Sequence, residues 1–241
     1  MKLPTTILFA GLLAHSSHAA LYTSGHADLF GIGYEDGDFE PHIHLEGAVV
    51  DGTTIADAEY QPGEITTVVP QSTFDLVSGN GGRPTDSAWD AIGVAAGESY
   101  WFLPQSSSTS STLGAPFAGV GTEELVGSDW TTDITIALVS VSGPGEFSMW
   151  QDGLSPSFAF STVDGIDSTD ILTVAAGSHA HYNWGFTEQG TYDITVEVSG
   201  THVTDGDKSA TATYQFLVVP EPSSSLLGLA SGLILVLRRR R

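Results

Sequence analysis

Between Thr191 and Val198 the chain reads Thr-Tyr-Asp-Ile-Thr-Val-Glu-Val, and this two-residue alternation constrains the fold more than any other stretch. Tyr192, Ile194, Val196 and Val198 take one face, and Asp193, Thr195 and Glu197 the other. That is a strand with one dry side and one wet side. Similar short runs of Val, Ile, Thr and aromatics recur between turn clusters such as Asp51-Gly52, Pro62-Gly63, Gly143-Pro144-Gly145 and Asp205-Gly206. No stretch sustains a helical period. The pattern predicts strands over residues 27–34, 42–50, 65–69, 73–77, 99–103, 133–141, 146–151, 157–162, 171–174, 182–187, 192–199 and 210–219. The serine- and threonine-rich run 105–116 reads as a long exposed loop, and residues 122–126 as one helical turn capped by Thr122.

The expected fold class is all-β: an immunoglobulin-like, decorated antiparallel β-sandwich spanning residues 20–218 as one domain. Gly190-Thr-Tyr192 resembles the tyrosine corner of such sandwiches, in which the hydroxyl bonds to backbone upstream. Twelve candidate strands exceed the usual seven to nine, hence the decoration. The chain has no cysteine, so no disulfide can substitute for a core. About 200 residues bury roughly 70% of their unfolded surface, enough for a self-sufficient core.

The two ends read differently. Lys2, the apolar run 7–14 and Ser17-His18-Ala19 form a secretory signal peptide over residues 1–19. From Val219 the chain runs Pro220-Glu221-Pro222-Ser, an apolar helix over about 224–237, then Arg238, Arg239, Arg240 and Arg241. The apolar run is short for a membrane span of about 17–25 residues, and the arginines would hold that end on the cytoplasmic side. Pro-Glu-Pro, a short hydrophobic helix and an arginine cluster resemble a PEP-CTERM sorting signal. That resemblance implies a Gram-negative bacterium making exopolysaccharide, transient membrane insertion, processing by an exosortase, and delivery from the inner membrane to the cell surface or extracellular matrix.

Between these ends the body carries 28 acidic residues against only Arg83 and Lys208, a formal charge of −26. Such a surface argues against nucleic-acid or phosphate partners, which need clustered lysine and arginine. It suits an extracellular surface, a salty habitat or the attraction of cations.

The chemistry-bearing residues are histidines. Six follow the signal segment, and five of them fall in three places: His26 in Ser-Gly-His-Ala-Asp28, His42-x-His44, and His179-x-His181. Residues two apart on a strand project from one face about 6.5–7 Å apart, so each His-x-His pair can lean onto one ion. Together the five supply up to five imidazole ligands for one transition metal, zinc or copper being the most plausible. Asp28 and Asn183 lie in phase with these histidines and are natural outer partners that orient the rings. Against this stands the ordinary reading, histidines that only pack and hydrogen-bond. Glu35-Asp-Gly-Asp-Phe-Glu40 and the 164–170 cluster lack the calcium-loop spacing and read as solvated turns. Trp101, Trp130 and Trp184 read as core.

Gly25-His-Ala-Asp-Leu29, His42-x-His44, Trp101-Phe-Leu-Pro-Gln105, Gly143-Pro-Gly-Glu-Phe147, and above all His179-Ala-His-x-Asn-Trp-Gly-Phe-Thr187 with Gly190-x-Tyr192 resemble the choice-of-anchor M domain. That domain is similar to the actinobacterial surface-anchored repeat associated with ABC transporters. The resemblance covers most of residues 24–199 and implies a surface-displayed module without established catalysis. No Gly-x-Ser-x-Gly, His-Glu-x-x-His, Walker or dinucleotide motif is present. The expectation is a non-enzymatic binding or matrix module with a histidine metal site. The alternatives are a purely structural, exopolysaccharide-associated acidic protein, or a metal-dependent hydrolase using Glu46 or Asp28 as base.

Overall fold

In a computed structural model, residues 19–219 are described. The expected signal peptide (1–19), apart from its last residue, and the expected sorting tail from Pro220, with its apolar helix, lie outside the described residues. Among those described, no helix is long and apolar enough to cross a membrane.

Among the described residues, fourteen strands make two sheets. The large sheet holds β1 (Ala20–Glu35), β2 (Asp38–Val50), β3 (Thr53–Tyr60), β4 (Ile65–Val69), β6 (Pro116–Gly121), β7 (Ile134–Ser142), β10 (Ile171–Val174), β11 (His179–His181), β13 (Gly190–His202) and β14 (Gly206–Val218). The small one holds β5 (Trp101–Leu103), β8 (Phe147–Gln151), β9 (Ser157–Ser161) and β12 (Asn183–Phe186), in the order β5-β12-β8-β9. The sheets face each other as a sandwich. Trp184 of β12 packs edge-on against Phe30 of β1 at 4.8 Å, and Phe186 packs against Tyr192 at 5.0 Å and Phe216 at 5.3 Å. Trp101, Trp130 and Trp184 are all buried, as expected of core tryptophans.

The alternation in β13 behaves as the sequence pattern predicts: Tyr192, Ile194, Val196 and Val198 are all fully buried. The Tyr192 hydroxyl donates to the Glu188 carbonyl at 3.0 Å and accepts from the Glu188 amide at 3.2 Å. This pins the turn that launches the strand.

Several expectations need correction. The large sheet is mixed, because β1 runs parallel to β4 and β6, and β14 parallel to β4. Residues 73–77 lie in helix α1 (Gln71–Gly79), not a strand. The apolar Phe74 and Val77 repeat is too short to separate the two periods, and Phe74 packs at a tilt against Trp101 with ring centroids 4.2 Å apart. The serine run contains helix α2 (Ser107–Leu113), capped at one end by the Ser106 hydroxyl and at the other by Gly114 in the left-handed region. Residues 122–126 form no helix; a 3-10 turn follows at Gly127–Asp129. Strands β3 and β6 arise where none is expected, β3 from exposed polar residues and β6 from the small residues of Pro-Phe-Ala-Gly-Val-Gly.

Replacing Tyr192 by Phe removes the two hydroxyl bonds while keeping the ring in the core. The expected cost is about 1 kcal/mol, or roughly 2–4 °C in Tm for a domain of this size, measured by thermal unfolding.

Candidate metal centre

β1 is the spine of the site. It pairs with β2 along one edge, and with β4 and then β6 along the other. β11 adds to the far side of β6. Register places His26 beside Phe117, Asp28 beside Gly119, His181 across from Gly119, and His179 across from Gly121. All these positions share one face, since paired residues of neighbouring strands project to the same side. Their neighbours in phase opposition, Ala27, Ala118 and Val120, are fully buried in the core.

β1 and β11 therefore stand two strands apart, roughly 9.5 Å, with β6 between them. Their side chains meet because β6 contributes glycine at the two facing positions. A Cβ at Gly119 would lie 2.6 Å from Asp28 Oδ1, 3.0 Å from His181 Cε1 and 3.1 Å from His179 Nε2. One at Gly121 would overlap the Asp28 carboxylate. The two glycines open a trough, closed at one end by Phe117, whose ring stacks on His181 at 3.5 Å.

Three imidazoles converge in this trough. His26 Nε2 lies 3.4 Å from His179 Nε2, which lies 2.9 Å from His181 Nε2. Asp28 Oδ1 is 3.2 Å from His179 Nε2 and 3.8 Å from His26 Nε2. Ligand atoms bonded at 2.0–2.1 Å around a tetrahedral ion stand roughly 3.3 Å apart. One ligand nitrogen from each of the three imidazoles falls within 4.8 Å of the others, and Asp28 Oδ1 flanks two of them, His179 and His26. The opposite ring nitrogens all face oxygens. His181 Nδ1 is 3.0 Å from the Ala118 carbonyl, His179 Nδ1 3.4 Å from Glu123 Oε1, and His26 Nδ1 3.6 Å from Glu46 Oε2. The Ala118 carbonyl fixes the His181 tautomer that leaves its Nε2 free to ligate, while Glu123 and Glu46 stand at charge-pair distance from the other two rings.

Burial shapes the electrostatics. Desolvation pushes the His181 imidazole down to about 4, against the favourable Ala118 carbonyl bond, with His179 and His26 adding to the fall. Desolvation also lowers His26, opposed by Asp28. It raises Asp28, although the charges of His179 and His26 work the other way. Asp28 is only 3% exposed, and its Oδ1 has no hydrogen-bond partner. A buried carboxylate oxygen without a donor is costly; a cation or a protonated His179 compensates it.

The five-imidazole cluster expected from the sequence is not what the fold builds. His42 and His44 sit on β2, on the opposite side of β1 from β11. His44 Nε2 bonds to Asp57 Oδ1 at 2.9 Å. Burial pulls His44 down, but the Asp57 bond and charge outweigh it and hold its pKa above the ordinary value. His42 faces Glu124. Asn183 is not an outer partner of the histidines either. Tyr182 carries the chain from one sheet to the other, so His181 and Asn183 do not share a strand face. Asn183 Oδ1 accepts from the Gln105 amide at 2.9 Å instead. Asp28 moves the other way, from outer partner to candidate ligand. Glu123 and the Ala118 carbonyl escaped sequence reasoning. The available signal was Ala118-Gly-Val-Gly121, an alternation of glycines that marks close approach over a strand.

No family model matches the chain, and no curated protein or solved structure matches it.

For metal-free protein the sign of the pH dependence follows from His181. Its folded pKa is below the ordinary 6.5, so the unfolded chain binds the proton that the folded site refuses. Stability contributed by the neutral ring is therefore full above 6.5 and is lost as pH falls toward about 4. Denaturant unfolding of metal-free protein across this window should show that decline, and His181→Gln should flatten it.

Proposed function

We propose that this protein is an exported, surface-sorted binding module that captures a transition-metal ion through His26, His179, His181 and Asp28. The observation that carries the reading is the convergence of three imidazoles in one trough, with the undonated Asp28 Oδ1 beside two of them and the Ala118 carbonyl behind His181. Zinc and copper(II) fit three imidazoles and a carboxylate. Asp28 taking the fourth position beside the three imidazoles would leave a tetrahedral ion no vacant place for substrate, which is the arrangement of a holding site rather than a hydrolytic one. The acidic body supports the same reading by raising the local concentration of cations.

Routing is proposed on the sequence alone. The signal segment and the PEP-CTERM-like tail send the chain through the membrane to an exosortase-type enzyme and then to the surface or matrix. The likeness to the choice-of-anchor M domain, and the tyrosine-corner bond in an immunoglobulin-like arrangement, agree with a displayed module. A structural, exopolysaccharide-associated role is the second reading. It is favoured by His179 lying between Asp28 and Glu123, where an imidazolium satisfies the cluster without metal.

Elemental analysis of protein purified without a histidine tag should find about one zinc or copper per chain, and the His179→Ala/His181→Ala double variant should lose it. Near-zero metal in both, with no thermal shift on adding either ion, overturns the metal reading and leaves an exopolysaccharide pull-down to test the second.

Two substitutions probe the architecture. Gly119→Ala should reduce affinity as strongly as loss of a ligand while the domain stays folded by circular dichroism. Glu46→Gln should weaken binding by less than the roughly 10–100-fold of a hydrogen-bonded outer partner, since Glu46 stands 3.6 Å from His26 Nδ1 on the exposed rim. Both are read by competition with a chromophoric chelator.

A further inference from the structure

The trough does not end at Asp28. Gly121 of β6 pairs with Gly31 of β1, and Gly31 pairs with His42 of β2, so the glycine floor continues away from the three histidines. It opens into a pocket of about 170 Å³ lined by Asp28, Gly31, His42, His44, Glu123 and Glu124, among others. The His42 ring lies over Gly31, where a Cβ would come within 2.7 Å of its Cδ2 and Nε2. At Gly33 a Cβ would come within 2.9 Å of Glu124 Oε2. Side chains at 31 and 33 would thus displace the two groups that project into this end.

His42 is 4% exposed. Its Nδ1 donates to the Glu40 carbonyl at 3.0 Å, which in the neutral ring leaves Nε2 as a bare lone pair. That lone pair lies 3.2 Å from Glu124 Oε1. Ligand atoms of His42, Glu124 and Glu59 all fall within 4.8 Å of one another. Two electron-rich atoms so placed need something positive between or upon them. The buried Asp28 carboxylate forms the shared wall: one oxygen faces the imidazole cluster, and the other lies on the Gly121 side that leads to this pocket.

We propose that this end of the trough holds a second divalent cation, ligated by His42 Nε2 and the carboxylates of Glu124 and Glu59. One imidazole with two carboxylates suits a harder ion than the first centre, of the manganese(II) class. The inference rests on the proposed metal role of the first centre, because Asp28 would then serve a pair of cations, while its own ligands are separate residues.

The test uses the full-length chain, stripped of metal with chelator and carrying no histidine tag. After one equivalent of zinc, manganese(II) is titrated and free ion is read by its electron paramagnetic resonance signal. The expected result is one further equivalent bound by the wild type. Glu124→Gln should lose the manganese but keep the zinc, and His179→Ala should lose the zinc but keep the manganese. Zinc bound with no manganese uptake overturns the second site and leaves the first standing. Manganese uptake unchanged in Glu124→Gln overturns the assigned ligands, and neither metal bound overturns both readings. A His42⁺–Glu124 ion pair alone predicts no uptake, and in that case Glu124→Gln changes only stability.

Discussion

Two missing side chains hold the site together. With any residue larger than glycine at 119 or 121, β6 would put a Cβ between β1 and β11 and into contact with the Asp28 carboxylate. Groups two strands apart would then be insulated from each other by the strand between them. A sheet normally joins immediate neighbours through cross-strand pairs. Here an empty row in the middle lets the outer strands interact directly. The buried carboxylate, the three imidazoles and their outward-facing nitrogens all depend on that gap.

The rest of the fold supplies rigidity to this arrangement. β1 is bonded on both edges, and its register with β2 shifts between Ser24 and His26 and again between Asp28 and Gly31. His26-Ala-Asp28 is thus a short regular segment bracketed by irregularities, a common device for aiming side chains. Below it, Ala27, Ala118 and Val120 anchor the same strands in the core, so the polar face and the dry face are fixed by the same backbone. Desolvation then keeps His181 neutral, which is the state a ligand needs.

Much of the fold was legible from residue order. The alternation of β13, its return through β14, the strand Ile171–Val174 and the buried tryptophans all follow from period and turn chemistry. What escaped was structure set by partners. β3 is exposed and polar and exists because β2 offers it an edge; β6 is built of small residues whose value lies in what they leave out. The histidines were legible as a group but not in their partition. His-x-His fixes that two rings share a face, yet not which strand lies beside it. Asn183 shows the limit most plainly: it is two residues from His181, but the chain changes sheets at Tyr182, and phase does not carry across such a crossing.

His26 and His179 are 153 residues apart in the chain, and the protein has no cysteine. An ion gripping both is a removable cross-link, tying an early strand to a late one much as a disulfide would. The closure entropy of such a long loop is set against the unfolded chain only while the ion is present. Occupancy at a hundred times the dissociation constant adds about 2.7 kcal/mol to the folded state. The durability of the domain would then track the metal content of its surroundings rather than their redox state.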